Sequence, residues 1–326
     1  VACAAAVDAV AGAEERTMNS HPCGVQKLLT LTLANLSLVI ALLFVTMPPA
    51  HAQKSFSSPE AAMNAFGDAV IKDREDVLRS IFGSNFRELI PRFGAPVRDT
   101  FIAEWAKSHT IASGEPGRAR IVVGDQGWTF PVPLVKNDAG WHFDTRAGAE
   151  EIRLRRIGRD ELAVIQAMLA IFDAQREYAQ TNHDGVGVLA YASKMVSTPG
   201  KHDGLYWPTG PEDTPSPLGA AFVDASSRNA QSAGYYGYHF KLLESQGPNA
   251  PGGAYDYVVK AKLFGGFAVI AWPVKYGDTG IKTFMVSHAG QVYERDLGPD
   301  SKAKAQATKW FDPGPGWSKV PARDSE

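Results

Sequence analysis

Thiols are almost missing from this sequence. Its two cysteines, Cys3 and Cys23, both precede residue 24 of 326, so the rest of the chain has no disulfide, no C-x-x-C redox pair and no thiolate metal site. An excess of charge is missing too: 33 Lys and Arg stand against 35 Asp and Glu. This near balance removes the electrostatic case for nucleic acid or an anionic membrane as the main partner. No serine sits in a G-x-S-x-G elbow and no H-E-x-x-H occurs, which excludes two common hydrolase signatures. His109, His142, His183, His202, His239 and His288 are scattered singly, so a histidine metal site would have to be assembled by the fold. No cofactor is expected from these residues.

One long apolar run is present. Residues 28–45 (LLTLTLANLSLVIALLFV) follow Lys27 and lead to Met47-Pro48-Pro49-Ala50-His51-Ala52, an A-x-A cleavage site that leaves Gln53 first. Thr30, Thr32, Asn35 and Ser37 interrupt the run, so its compact part, Leu36 to Val45, is short for a membrane span. Cleavage is therefore favoured over anchoring. The expectation is a periplasmic or secreted protein with no stable membrane span after cleavage. Met18 lies at an ordinary distance upstream for a start, so 1–17 reads as an over-extended start and 18–52 as the signal peptide. No Cys follows the run to take a lipid.

The remaining length exceeds the usual single domain, and two are expected, 53–150 and 151–326. In the first, Ser58-Pro59-Glu60 is a helix start, with Ala62, Phe66, Ala69 and Val70 on one face. Two further helices carry Val77, Leu78, Ile81 and Phe82, and then Phe101, Ile102 and Trp105 after Pro96. From Ala119 the pattern becomes strand-like at Arg120–Val123, Trp128–Val135 and Trp141–Asp144, the last two joined by a turn at 137–140. Helices before antiparallel strands make an α+β domain. It resembles the cone-shaped nuclear-transport-factor-2-like fold, which implies a cavity between helices and sheet.

In the second, Asp160 to Gln180 reads as a long helix, apolar around much of its circumference through Val164, Met168 and Ile171 besides Leu162, Ile165, Leu169 and Phe172. Glu150 to Arg156 before it reads as a solvated charge run linking the domains. Strands follow at 237–243, 255–263, 267–272, 282–286 and 291–295, with turns at Gly265-Gly266 and 288–290. One helix on an antiparallel meander resembles the periplasmic part of pilins and pseudopilins. The membrane-spanning helix that pilins use for assembly does not run into this one, which counts against filament incorporation.

Specific strings carry a resemblance over the whole of 56–317. Trp128-Thr129-Phe130-Pro131-Val132-Pro133-Leu134-Val135, Ala174-Gln175-Arg176-Glu177-Tyr178 and Ser197-Thr198-Pro199-Gly200-Lys201-His202-Asp203-Gly204-Leu205-Tyr206-Trp207 are among them. With Ala250-Pro251-Gly252-Gly253-Ala254-Tyr255-Asp256-Tyr257 and Gly265-Gly266-Phe267-Ala268, they resemble the bacterial secreted family catalogued as domain of unknown function 2950. That resemblance implies an exported protein and no assigned activity.

Two segments are candidates for chemistry. Asn182, Asp184 and Gly187 match positions one, three and six of a calcium loop, but Val186 and Ser193 lack the oxygens of positions five and twelve, so a structural turn is favoured over a metal site. The stretch 197–219 is long for a passive connection, and within it Lys201, His202, Asp203, Tyr206 and Trp207 gather a base, a carboxylate and aromatics suited to binding. The alternative there is an Asp203-Gly204 turn with the aromatics packed on the sheet. Two functions follow. The leading expectation is a non-enzymatic binding protein that engages an envelope protein or a glycan. The other is an envelope hydrolase with His202 and Asp203 as an acid–base pair near Glu177 or Asp184, on glycan or peptide.

Overall fold

Capping and apolar spacing set the first helices. In the computed structural model, which describes residues 53–183, 187–210, 214–219 and 234–321, Ser58 accepts the Ala61 N–H on its Oγ at 3.1 Å. That cap opens α1 (Pro59–Ile71), where Pro59 occupies the first turn and Glu60 meets the positive end of the dipole. The segments 1–17 and 18–52 lie outside the described residues, as do Asp184, Gly185 and Val186. From Ser55 onward the chain clusters as one compact unit.

α1 buries Ala62, Phe66, Ala69 and Val70, the face expected from spacing. α2 (Glu75–Phe82) buries Leu78, Ile81 and Phe82 and stops at Gly83. A single 3-10 turn at Phe86–Glu88 leads to α3 (Pro96–Lys107), which buries Arg98 and Trp105. Gly67 lets α3 approach α1, since a Cβ there would fall inside the Trp105 indole. The sheet that follows has the order β1-β2-β4-β5, built from β1 (His109–Ala112), β2 (Arg118–Val123), β4 (Leu134–Asn137) and β5 (Gly140–Phe143), with β3 (Trp128–Thr129) also beside β2. All of its pairings are antiparallel.

Two strand expectations change here. Trp128–Val135 is not one strand, because Pro131 and Pro133 have no N–H for a ladder. The chain pairs with β2 as β3, crosses over buried Phe130 and Val132, and pairs again as β4. β1 was not expected, as its residues are mostly exposed and lack the alternation that β2 shows in Ala119, Ile121 and Val123. The turn at 137–140 is present, tightened by the Ala139 N–H on Asn137 Oδ1 at 2.9 Å.

The long helix starts fifteen residues before its expected first residue. α4 runs from Thr145 to Tyr178, with the Asp144 carboxylate accepting the Ala147 N–H at 3.0 Å. The charged stretch hid its first turns, because Glu150 to Arg156 has no apolar stripe. It is helical and ion-paired, Glu150 with Arg153 and Glu151 with Arg155. It is also not merely solvated: Arg155 donates to the Thr129 carbonyl at 2.8 Å, and Arg153 and Arg156 reach Gly277 and Asp278. Further on, α4 buries Val164, Met168, Ile171 and Ala174 while Leu162 is exposed.

Beyond α4, β6 (Lys194–Val196) and β7 (Gly204–Tyr206) form a small parallel pair. β8 (Tyr238–Leu243) then enters an antiparallel five-stranded sheet, while β9 (Ser245–Gln246), β10 (Tyr255–Asp256), β11 (Val258–Val259) and β12 (Lys262–Leu263) make two short hairpin-like pairs outside it. The expected strand 255–263 is thus broken, and Lys260 and Ala261, φ 50° and 62°, form the two-residue turn between β11 and β12. The sheet is completed by β13 (Ala268–Pro273), β14 (Lys282–Ser287), β15 (Val292–Asp296) and β16 (Ser318–Lys319), in the order β16-β15-β14-β13-β8. Its one face meets α4 through Val269, Ala271, Phe284 and Val286. The other carries Ile270, Trp272, Met285 and Tyr293 against the β9–β12 region and a short helix, α5 (Ser301–Ala307), which was not expected. Cover on both faces is why every residue of β13 is buried.

Glu161 of α4 binds the sheet directly. Its carboxylate accepts the N–H groups of Ile281 and Lys282 at 2.8 and 2.9 Å. The fold is mixed α+β, as expected. Among the described residues no helix is long and apolar enough to cross a membrane.

Candidate functional site

The helices and sheet of the first half share one buried core that does not fill all the space between them. Between them lies a cavity of about 760 Å3, within the range of small-molecule sites. Phe66 and Val70 of α1, Phe101 of α3, Val123 of β2 and Phe130 make its walls apolar. α3 presents Val97, Phe101 and Glu104 to it, residues three or four apart and so on one helix face. Large apolar side chains are exposed around this region: Phe93 at 59%, Val97 at 64% and Trp128 at 45%.

Arg98 also lines this space and is 2% exposed. A buried guanidinium is costly unless its charge and donors are met. Nη1 lies 2.9 Å from the Asp73 carboxylate and 3.4 Å from the Pro91 carbonyl, and Nη2 donates to the Val70 carbonyl at 2.5 Å. Its Cζ stands 5.2 Å from the Phe93 ring centroid. Nε is buried without a hydrogen-bond partner. Asp73 itself has a left-handed φ of 50°, which aspartate tolerates better than most residues.

With Arg98 counted, the charges lining the cavity are balanced. Arg87 pairs with Glu75, and Glu104 accepts from Lys107 at 2.6 Å, a bond that raises the Lys107 pKa. Glu88 and Asp125, both exposed, complete three residues of each sign in the lining.

The 197–219 loop uses its polar groups differently. Asp203 accepts from Lys194 Nζ at 2.8 Å, from the Thr198 N–H at 2.7 Å and from Thr198 Oγ1 at 2.8 Å. The lysine, ahead of the Thr198 bonds, holds this carboxyl well below the usual carboxylate range. Trp207 is buried and donates its Nε1 hydrogen to the Thr214 carbonyl at 3.1 Å. His202 is exposed and stacks on Trp207 at 4.3 Å between centroids, while Tyr178 donates to the His202 carbonyl at 2.6 Å. His183 lies 5.5 Å from Trp207 and stacks on Tyr178. Lys201 is exposed and Tyr206 half-buried.

The structure thus brings His202, Trp207, His183 and Tyr178 together, and engages Asp203 with Lys194 and Thr198. Glu177 and Asn182 are exposed on and just after the end of α4. Asp184, their companion in both the metal and the hydrolase expectations, lies outside the described residues. Among the described residues no three His, Cys, Asp or Glu side chains gather as a metal would require.

A family model described as a protein of unknown function (DUF2950) matches residues 53–320. The chain belongs to this DUF2950 family. No curated protein and no solved structure matches it.

Both the cavity and the 197–219 loop lie within the DUF2950 match. Arg98, the cavity's buried cation, lies outside the candidate residues of the DUF2950 sequence. Its signal was available: Arg98 falls three and seven residues before Phe101 and Trp105, on the stripe that α3 turns inward. A charge on an inward stripe points to a paired group or a site. Trp128 reads locally as strand, because nothing nearby in the sequence distinguishes an aromatic in a sheet from one beside a cavity.

Proposed function

We propose that this protein is an exported, non-enzymatic binding protein whose ligand occupies the cavity between α1, α3 and the first sheet. The observation that carries this reading is an apolar chamber of about 760 Å3 with a buried arginine in its lining. Neighbouring aromatic and aliphatic side chains remain exposed, as they do where an apolar ligand supplies the missing cover. Export rests on the A-x-A pattern ending at Ala52.

The test uses 1-aminoanthracene, an uncharged dye that brightens in apolar surroundings. Titration into the purified protein should give saturable fluorescence. Thr100→Trp, at an exposed position of the lining, should abolish it without loss of thermal stability. A linear, non-saturating response in the unmodified protein sinks the reading.

A second reading places an envelope protein or a glycan on the 197–219 loop. Exposed His202 stacked on Trp207, with Lys201 beside it, favours that surface. The hydrolase alternative has less support, because both oxygens of Asp203 are already held by Lys194 and Thr198.

A further inference from the structure

The rings in the lining narrow what the cavity can hold. Phe66, Phe101, Trp128 and Phe130 all stand there, and the last three meet one another at an angle rather than in parallel. Trp128 is inclined by 72° to Phe101 at 6.1 Å between centroids and by 64° to Phe130 at 6.3 Å, while Phe101 is inclined by 54° to Phe66 and 53° to Phe130. Inclined pairs bring the positive edge of one ring to the negative face of another. One wall of the chamber is thus already an array of interacting rings.

That array ends at an open member. Phe66 and Phe130 are buried, whereas Trp128 is 45% exposed. Its indole is nevertheless held in place: besides the two phenylalanines, the Arg155 Cζ stands 5.7 Å from its ring centroid. Arg155 is itself fixed, donating to Glu151 at 2.8 Å, to the Thr129 carbonyl at 2.8 Å and to Thr129 Oγ1 at 3.0 Å. A ring that is exposed yet already ordered costs little further entropy when a ligand meets it. An aromatic ligand can extend the array at Trp128, whereas a saturated one has neither the positive edge nor the negative face and gains contact area alone. Net charge gives no basis for selection, with three charges of each sign in the lining.

We infer that the cavity selects an aromatic molecule over a saturated one of the same size, and that Trp128 sets this preference. This rests on the cavity being a binding site and adds the class of its ligand. Hydrocarbon walls alone discriminate weakly between molecules of similar shape. The rings supply the discrimination.

Two uncharged alcohols with the same carbon skeleton test it, 2-phenylethanol and 2-cyclohexylethanol, each measured by displacement of 1-aminoanthracene from the purified protein. The cyclohexyl compound is the more apolar, so burial alone ranks it the tighter binder. The aromatic one should instead bind about five-fold tighter, because each inclined ring pair adds to the area term. Trp128→Leu keeps an apolar side chain but removes the ring, and should abolish that preference; Trp128→Phe restores a ring and should keep it. Equal or tighter binding of 2-cyclohexylethanol to the unmodified protein overturns the aromatic class and leaves the cavity reading standing. A preference that survives Trp128→Leu overturns the role of Trp128. If 1-aminoanthracene itself does not bind, the cavity reading falls instead. The ranking of the two alcohols needs no variant, so it decides the ligand class even if Trp128→Leu fails to fold.

Discussion

The two halves of this protein lay helix on sheet with opposite results. In the second, Val164, Met168 and Ile171 of α4 meet Val269, Ala271, Phe284 and Val286 of the sheet, all fully buried. In the first, Phe66 sits among Phe82, Phe101, Trp105, Phe130 and Phe143 at centroid distances of 4.6 to 5.9 Å, and a cavity stays open beside them. In the second half, aliphatic side chains of several sizes and one ring interdigitate as a close-packed interior does. Rings that meet in tilted and edge-to-face pairs hold the layers at ring width, and space remains where the rings end. The same layering therefore gives a buried core in one half and, in the other, a core with a chamber beside it.

The contrast can be broken most severely at Glu161, which ties α4 to the start of β14. Glu161→Ala leaves the Ile281 and Lys282 N–H groups without their acceptor and should cost about 3 kcal/mol, as expected for two hydrogen bonds to a charged group. Urea unfolding would measure it, and a loss under about 1 kcal/mol would mean that packing alone holds the second half closed.

A pair of enlargements sharpens the comparison further. Ala271→Leu adds volume between α4 and the sheet, where nothing can give, and should destabilise by about 2 kcal/mol. Thr100→Trp adds more volume but into open space, and should change stability by less than about 0.5 kcal/mol. Equal losses by thermal melting would show that the first half is as tightly filled as the second.

The smallest effect is expected at Asp203. Its carboxyl pKa is lowered in the folded protein by Lys194 and Thr198. A depressed folded-state pKa contributes stability above the unfolded carboxylate value of about 3.9 and loses it as pH falls toward the folded value. Asp203→Asn should therefore be the less stable protein at neutral pH, with the gap to the unmodified chain narrowing below about pH 4. A gap that stays constant on acidification would remove the ionised carboxylate from the account.

Much of the fold could be read locally. Ser58-Pro59-Glu60, the stop at Gly83 and the turn at 137–140 are where their side chains require them. The failures share a cause, which is that the deciding partner is distant in sequence. The first turns of α4 lack an apolar stripe, yet Arg155 finds Thr129 and Arg153 finds Gly277. Tyr255 to Leu263 reads as one strand until its two left-handed residues turn it back on itself. Of the candidate site residues, the loop positions stood out by composition. Arg98 carries a weaker signal, its place three and seven residues before Phe101 and Trp105 on the inward stripe of α3.

By itself the sequence determined the α+β class, the helix starts and several turns, since caps, periodicity and turn chemistry act within a few residues. It also removed disulfide and thiolate chemistry beyond Cys23 by composition alone. Only the tertiary structure decided that one helix–sheet interface is buried throughout while the other keeps a chamber, and that a buried Arg98 stands in its lining. A cavity is a distance between layers, and that distance depends on how side chains from α1, α3 and the sheet meet in space.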